Sequence, residues 1–219
     1  MRPTAHTSLA SLATVLLLAA PAAAAPPTPH QLTLSAKPAT VLFGKSTLLS
    51  GKLTGANSGG VTVTLRDDPY PFGHYNPVGT TTTAADGTYH FTVSPTVNTK
   101  YQADAKSKAP ATSPEVLVKV APRVGLRVSD RTPKVGQKVT FFGKVFPPHD
   151  GQSVLLQRRR SDGSWRTKAT IPLVHATGGY STYSRKWTVR RNGTFRVVKP
   201  ADADHARGTS PKRTLTVHG

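Results

Sequence analysis

Apolar and polar residues alternate along this chain in short runs, and one run occurs twice. Gly44-Lys45-Ser46-Thr47-Leu48-Leu49-Ser50-Gly51-Lys52-Leu53 returns without a gap as Gly136-Gln137-Lys138-Val139-Thr140-Phe141-Phe142-Gly143-Lys144-Val145. Self-similarity at a fixed period marks a duplicated structural unit. A glycine, an extended half-apolar run and then Gly-Lys-apolar predicts a strand that enters and leaves a turn. Leu32, Leu34 and Ala36 alternate with Thr33 and Ser35 as a half-buried first strand, and map onto Val124, Leu126 and Val128. Gly60, Val63 and Leu65 map onto Gly151, Val154 and Leu156, and Phe91 and Val93 align with Trp187 and Val189.

Turn pairs separate these runs: Asp86-Gly87, Asp162-Gly163 and Asn192-Gly193. About seven short alternating strands per unit predict an all-β chain of two tandem antiparallel β-sandwiches. The boundaries fall at 31–121 and 122–219, with only Ala121, Pro122 and Arg123 between the last strand of one unit and the first of the next. So short a link predicts a semi-rigid rod of two modules. The expected inner faces are Leu34, Leu48, Val63, Leu65, Phe91 and Tyr101 in the first unit. In the second they are Leu126, Val139, Phe141, Val154, Leu156, Trp187 and Phe195.

These runs and turns resemble the tandem immunoglobulin-like, fibronectin-III-like modules of secreted bacterial surface proteins, over about residues 30 to 218. The resemblance implies Ig-like sandwiches that act as spacers, adhesion elements or binding domains, and fixes none of these by itself. The cysteine pair and third-strand tryptophan of antibody domains are missing. Tyr101 resembles a tyrosine corner, whereas its counterpart Phe195 has no hydroxyl.

The first residues read differently. Arg2, the apolar run Leu9–Ala20 and the small residues Ala22-Ala23-Ala24 form a signal peptide over residues 1–24, followed by a Pro-rich leader over 25–30. Secretion to the extracellular space is therefore expected, with no transmembrane segment in the mature chain. There is no cysteine, so each unit is held by packing alone.

Candidate chemistry is sparse. Gly44-Lys45-Ser46 lacks the earlier glycine and the following helix of a phosphate loop. The histidines show no metal-ligand spacing, and no cysteine supports zinc, so no metal site and no cofactor is expected. Asp202-Ala203-Asp204 reads as solvated loop acids, and no nucleophile elbow suggests an enzyme.

Charge changes the picture. Of the net +19, residues 25–120 carry +3 and residues 121–219 carry +15, from twenty Lys/Arg against five acids. Arg158, Arg159, Arg160, Trp165, Arg166 and Lys168 surround one hairpin, and Arg185, Lys186, Arg190 and Arg191 form a second cluster. Arginines beside an aromatic hold phosphates and stack on rings. These ten residues are the expected contacts to anionic polymers of the cell envelope or matrix, with no sequence-specific nucleic-acid recognition. In the first unit, Tyr70, Phe72 and Tyr75 on a proline-stiffened loop either plug the end of the sandwich or contact a partner. The reading is a secreted, non-enzymatic binding or adhesion protein. The alternatives are a passive spacer, or a secreted enzyme or inhibitor whose site is assembled in space.

Overall fold

The computed structural model describes residues 29–107 and 109–219, so the expected signal peptide and most of the leader lie outside them. Among the described residues, every regular element is a strand and no helix is long and apolar enough to cross a membrane. The first ten strands are β1 (Gln31–Leu32), β2 (Ser35–Lys37), β3 (Thr40–Leu42), β4 (Thr47–Thr54), β5 (Thr62–Pro69), β6 (Asn76–Thr82), β7 (Thr88–Val93), β8 (Thr99–Lys106), β9 (Ala111–Thr112) and β10 (Val116–Ala121). Then come β11 (Arg123–Val124), β12 (Arg127–Val128), β13 (Lys138–Phe146), β14 (Ser153–Arg159), β15 (Trp165–Pro172), β16 (Val174–Ala176), β17 (Tyr180–Thr188), β18 (Gly193–Lys199), β19 (Gly208–Thr209) and β20 (Arg213–Leu215).

They form four sheets. β1, β4 and β2 pair in that order with β7 added to β4, and β3-β10-β8-β5-β6 make the second sheet with β9 beside β8. β11-β13-β17-β16, with β12 on β13, and β15-β14-β18-β19, with β20 on β18, repeat the plan. Pairing between these strands is antiparallel except for β3 against β10, where Val41 faces Val120. A parallel bridge between Lys134 and His218 stands in the corresponding place later in the chain.

Two hydrophobic clusters result, one from Leu32 to Val120 and the other from Val124 to Leu215. Each takes side chains from both of its sheets, which is how a sandwich buries the alternating faces of its strands. Most expected core residues are buried, and three are placed differently. Leu48 is 44% exposed while Leu49 is fully buried, because Thr47, Leu49 and Leu53 point inward. Thr47 tolerates that position by donating its hydroxyl to the Pro38 carbonyl at 2.6 Å. Phe91 and Trp187 are half-buried at the margins of the clusters.

The duplicated stretch is one long strand in each half, and its second glycine lies inside the strand, not at its exit. Gly51 pairs with Tyr89, and Gly143 with Tyr183. A methyl group on Gly51 would sit 2.0 Å from the Thr33 carbonyl oxygen, and one on Gly143 would sit 2.2 Å from that of Gly125. The missing side chain lets each tyrosine cross its partner strand and donate its hydroxyl, Tyr89 to Thr33 at 2.5 Å and Tyr183 to Gly125. These are bonds between distant strands, unlike the local bond of a tyrosine corner. The same pairing aligns β7 with β17 through these tyrosines, so Val93 corresponds to Trp187 and Phe91 to Arg185. Matching the bulky apolar residues alone had displaced that register by two positions.

Only Pro122 separates β10 from β11. A loop late in the chain, residues 200–207, closes against the earlier strands. The Ala206 amide donates to Val120 O at 2.8 Å, the Asn98 amide to Asp204 O at 2.8 Å, and the Asn98 side-chain amide to Ala203 O at 3.3 Å.

Candidate functional site

The structure distributes the ten expected polyanion contacts over several surfaces. Arg158 faces the inner side with Phe195 and Arg166, its guanidinium donating to Asn192 O at 2.5 Å and lying over Gly193. Arg159 and Trp165 are cross-strand partners on the opposite side of that sheet, where Arg196 stacks on the Trp165 ring at 4.1 Å and donates to Gln157 Oε1 at 3.0 Å. Burial, and after it the nearby Arg207, lowers the Arg196 pKa from its ordinary value. Arg160 belongs to the exposed turn closed by its amide on Ser164 O. Lys168 sits 5.8 Å over Trp187, next to the exposed Arg185 and Lys186 of β17. Arg190 and Arg191 are exposed in the loop after β17. The sequence clusters are therefore not one patch: strand alternation and the bulge between Leu156 and Gln157 send neighbours to different faces.

A continuous basic groove lies elsewhere, on the outer face of β11-β13-β17. It encloses about 810 Å³ and is lined by Arg123, Arg127, Phe142, Lys144, Phe146 and Arg213, among others. Arg123 lies 4.8 Å over the Phe146 ring, Lys144 3.8 Å over the Tyr180 ring, and the two rings stand 5.1 Å apart. Phe142 reaches the surface, 36% exposed.

The other half supplies a built-in comparison. Its cross-strand pairs Gln31–Thr54 and Ser35–Ser50 occupy the positions of Arg123–Phe146 and Arg127–Phe142. Small polar pairs in one half are thus arginine–phenylalanine pairs in the other, on an unchanged backbone plan. The signal was present in the repeat alignment, as a difference between the two copies at matched positions.

The acids of residues 121–219 do not neutralise this surface. Asp130 accepts from the Thr132 amide and Gln137, Asp162 from the Ser164 amide, and Asp150 from Ser181 at 2.5 Å with His175 at 2.7 Å. Asp202 pairs with Lys199, and Asp202 and Asp204 face the rings of His149 and His205. Among the described residues, Lys199 is the only Lys or Arg of that half within 4.0 Å of a carboxylate.

The acids read as solvated are half-buried and belong to a cluster with the buried Lys199, His149 and His205. Lys199, 1% exposed, donates to Asp202 Oδ2 at 2.6 Å and to Pro200 O at 2.9 Å. Burial pushes the Asp202 carboxyl up, but hydrogen bonds from Lys199 and the His205 amide outweigh it and hold the group below the usual carboxylate range. Burial holds His149 below the ordinary imidazole value, with the Lys199 charge adding to the effect. His149 and His205 pack edge to face, 4.8 Å between ring centres. Sequence spacing hid this convergence, because the two histidines are brought together only by the closing loop.

In the loop of Tyr70, Phe72 and Tyr75, the Phe72 and Tyr75 rings are half-buried and Tyr70 is exposed. Asp68, buried at its base, accepts from the Gly73 and His74 amides at 2.8 and 3.1 Å. Tyr70 and Phe72 meet edge to face, Lys100 lies 5.1 Å over Phe72, and Tyr75 donates to Glu115 at 2.6 Å. These contacts satisfy the loop internally, although Tyr70 remains exposed.

Ser181, Asp150 and His175 touch in sequence, but the aspartate stands between the serine and the histidine, and Ser181 is fully buried. This is not the order of a Ser-His-Asp triad, in which the histidine stands between the serine and the aspartate. No protein-family model matches the chain, and no curated protein matches it.

Proposed function

We propose that this is a secreted, non-enzymatic pair of immunoglobulin-like modules whose later half binds anionic polymers through the groove of Arg123, Arg127, Lys144 and Arg213. The observation that carries this reading is the exchange of two small polar cross-strand pairs for two arginine–phenylalanine pairs at matched positions. Phenylalanine and tyrosine rings under the cations fix them at the surface and give a sugar or base a flat face to lie on. Internal use of all five acids in that half leaves the groove's charge uncompensated, which favours phosphate-, sulfate- or carboxylate-bearing chains. The tandem all-β plan with a signal-like leader supports extracellular deployment.

The test is binding to polyphosphate and to a sulfated polysaccharide across a salt series. Affinity is expected to fall steeply with salt, since released counterions drive association. Arg127→Ser with Phe142→Ser, which copies Ser35 and Ser50 of the other half, should weaken binding about tenfold or more. An affinity that ignores both salt and this double substitution overturns the reading.

A further inference from the structure

We propose that His149, Asp202, Asp204 and His205 form a binding site for a divalent transition-metal cation of the zinc type, at the junction of the two halves. The four side chains each offer one ligand atom, and these atoms lie within 4.8 Å of one another. Four ligands about 2.0–2.1 Å from a tetrahedral zinc stand roughly 3.4 Å apart. Side-chain rotations of about an ångström therefore close the shell.

The tautomers make the case beyond proximity. His149 Nδ1 is 2.8 Å from Pro147 O, and His205 Nε2 is 3.0 Å from Thr96 O. A carbonyl oxygen only accepts, so these two nitrogens carry the hydrogens. In the neutral imidazoles, the form a metal binds, the lone pairs are then on His149 Nε2 and His205 Nδ1. Both atoms are buried and, among the described residues, have no hydrogen-bond partner, in side chains 2% and 3% exposed. They face carboxylate oxygens, His149 Nε2 towards Asp202 Oδ2 at 3.7 Å and His205 Nδ1 towards Asp204 Oδ1 at 3.2 Å. With the imidazoles neutral, lone pairs thus confront lone pairs in a partly buried place, an arrangement that a cation between them would relieve.

Lys199 supplies one positive charge, but its ammonium is spent on Asp202 and the Pro200 carbonyl. Asp204 and both imidazole lone pairs remain. The Lys199 contact then takes the place that a hydrogen-bonded outer partner holds around a ligating carboxylate, and the two backbone carbonyls hold the imidazoles in their ligating orientation. Two imidazole nitrogens with two carboxylates favour zinc and its first-row neighbours over calcium or magnesium, which take oxygen shells. Because Asp204 and His205 lie in the loop that bonds to Thr96 and Asn98, a bound ion would fasten that loop across the junction.

The test is equilibrium dialysis of the protein against zinc chloride with metal quantification, beside thermal unfolding with zinc or calcium. One zinc per chain and a rise in unfolding temperature with zinc but not calcium are expected. Asp204→Asn alters a partly exposed carboxylate and should preserve the fold, as checked by circular dichroism. That variant and His149→Gln should each lower zinc affinity about tenfold or more. His175→Ala removes the exposed histidine beside Asp150 and should leave uptake unchanged. Absence of uptake in excess zinc, equal uptake by Asp204→Asn and the native chain, or loss in His175→Ala alone would overturn the proposal.

Discussion

Tyr183 donates its hydroxyl to the Gly125 carbonyl across the strand that separates them, through a gap left by the hydrogen of Gly143. Tyr89, Thr33 and Gly51 repeat the arrangement in the other half. Gly143→Ala should destabilise the protein by about 1–3 kcal/mol, since its methyl group meets backbone that cannot yield. Tyr183→Phe should cost about 1 kcal/mol, the worth of the lost hydrogen bond. Denaturant titrations of both variants check this, and a Gly143→Ala protein as stable as the native one refutes the stated role of the glycine.

Leu48 and Leu49 are adjacent and chemically identical, yet they face opposite ways. Leu49→Ala is expected to cost about 2–5 kcal/mol by opening a cavity. Leu48→Ala should stay within about 0.5 kcal/mol. Equal losses in chemical denaturation would contradict the inward register of Thr47 and Leu49.

Burial raises the phenol pKa of Tyr89, Tyr101 and Tyr183, that of Tyr101 to about 12, and burial with Glu115 raises that of Tyr75. Each is raised above its unfolded value near 10. Their contribution to stability is therefore complete below about pH 10 and is lost as pH rises through the folded values. An ultraviolet titration should show these phenols ionising late in the folded chain and together with the others in denaturant. Tyr183→Phe should flatten the alkaline loss of stability.

The arginine triplet 158–160 divides by task. Arg158→Ala removes the guanidinium bond to Asn192 O and should destabilise by about 1.5 kcal/mol. Arg160→Ala, in an exposed turn, should be neutral within about 0.5 kcal/mol. Thermal unfolding of the pair separates a structural arginine from a solvated one.

Much of the scaffold is readable from the chain. The gapless match of Gly51 with Gly143 sets the register of β4 and β13, and alternation places Val63, Leu65, Val154 and Leu156 inside. Alternation does not choose between Leu48 and Leu49, because both are apolar. The choice rests on Tyr89 lying opposite Gly51, a contact between distant strands. The site was harder for the same reason. Arg158, Arg159 and Arg160 are neighbours in sequence but not on one surface, while Arg123, Phe146 and Arg213 share one groove from three strands. His149 and His205 meet because β18 and the loop after it return the chain to the turn after β13, and no local pattern encodes that return.

The parallel pairing of β3 with β10 has a mechanical consequence. The chain enters this pair at Thr40 and leaves it at Ala121 from opposite ends, flanked by the Lys119 amide on Ala39 O and the Phe43 amide on Ala121 O, each 2.9 Å. Tension that reaches these two strands loads their hydrogen bonds in shear, all at once, whereas an antiparallel hairpin pulled from its open end unzips bond by bond. The bridge of Lys134 with His218, with the Val135 amide on His218 O and the His218 amide on Pro133 O, gives the basic half the same geometry. A pull along the chain therefore meets two shear clamps in series, with Pro122 between them.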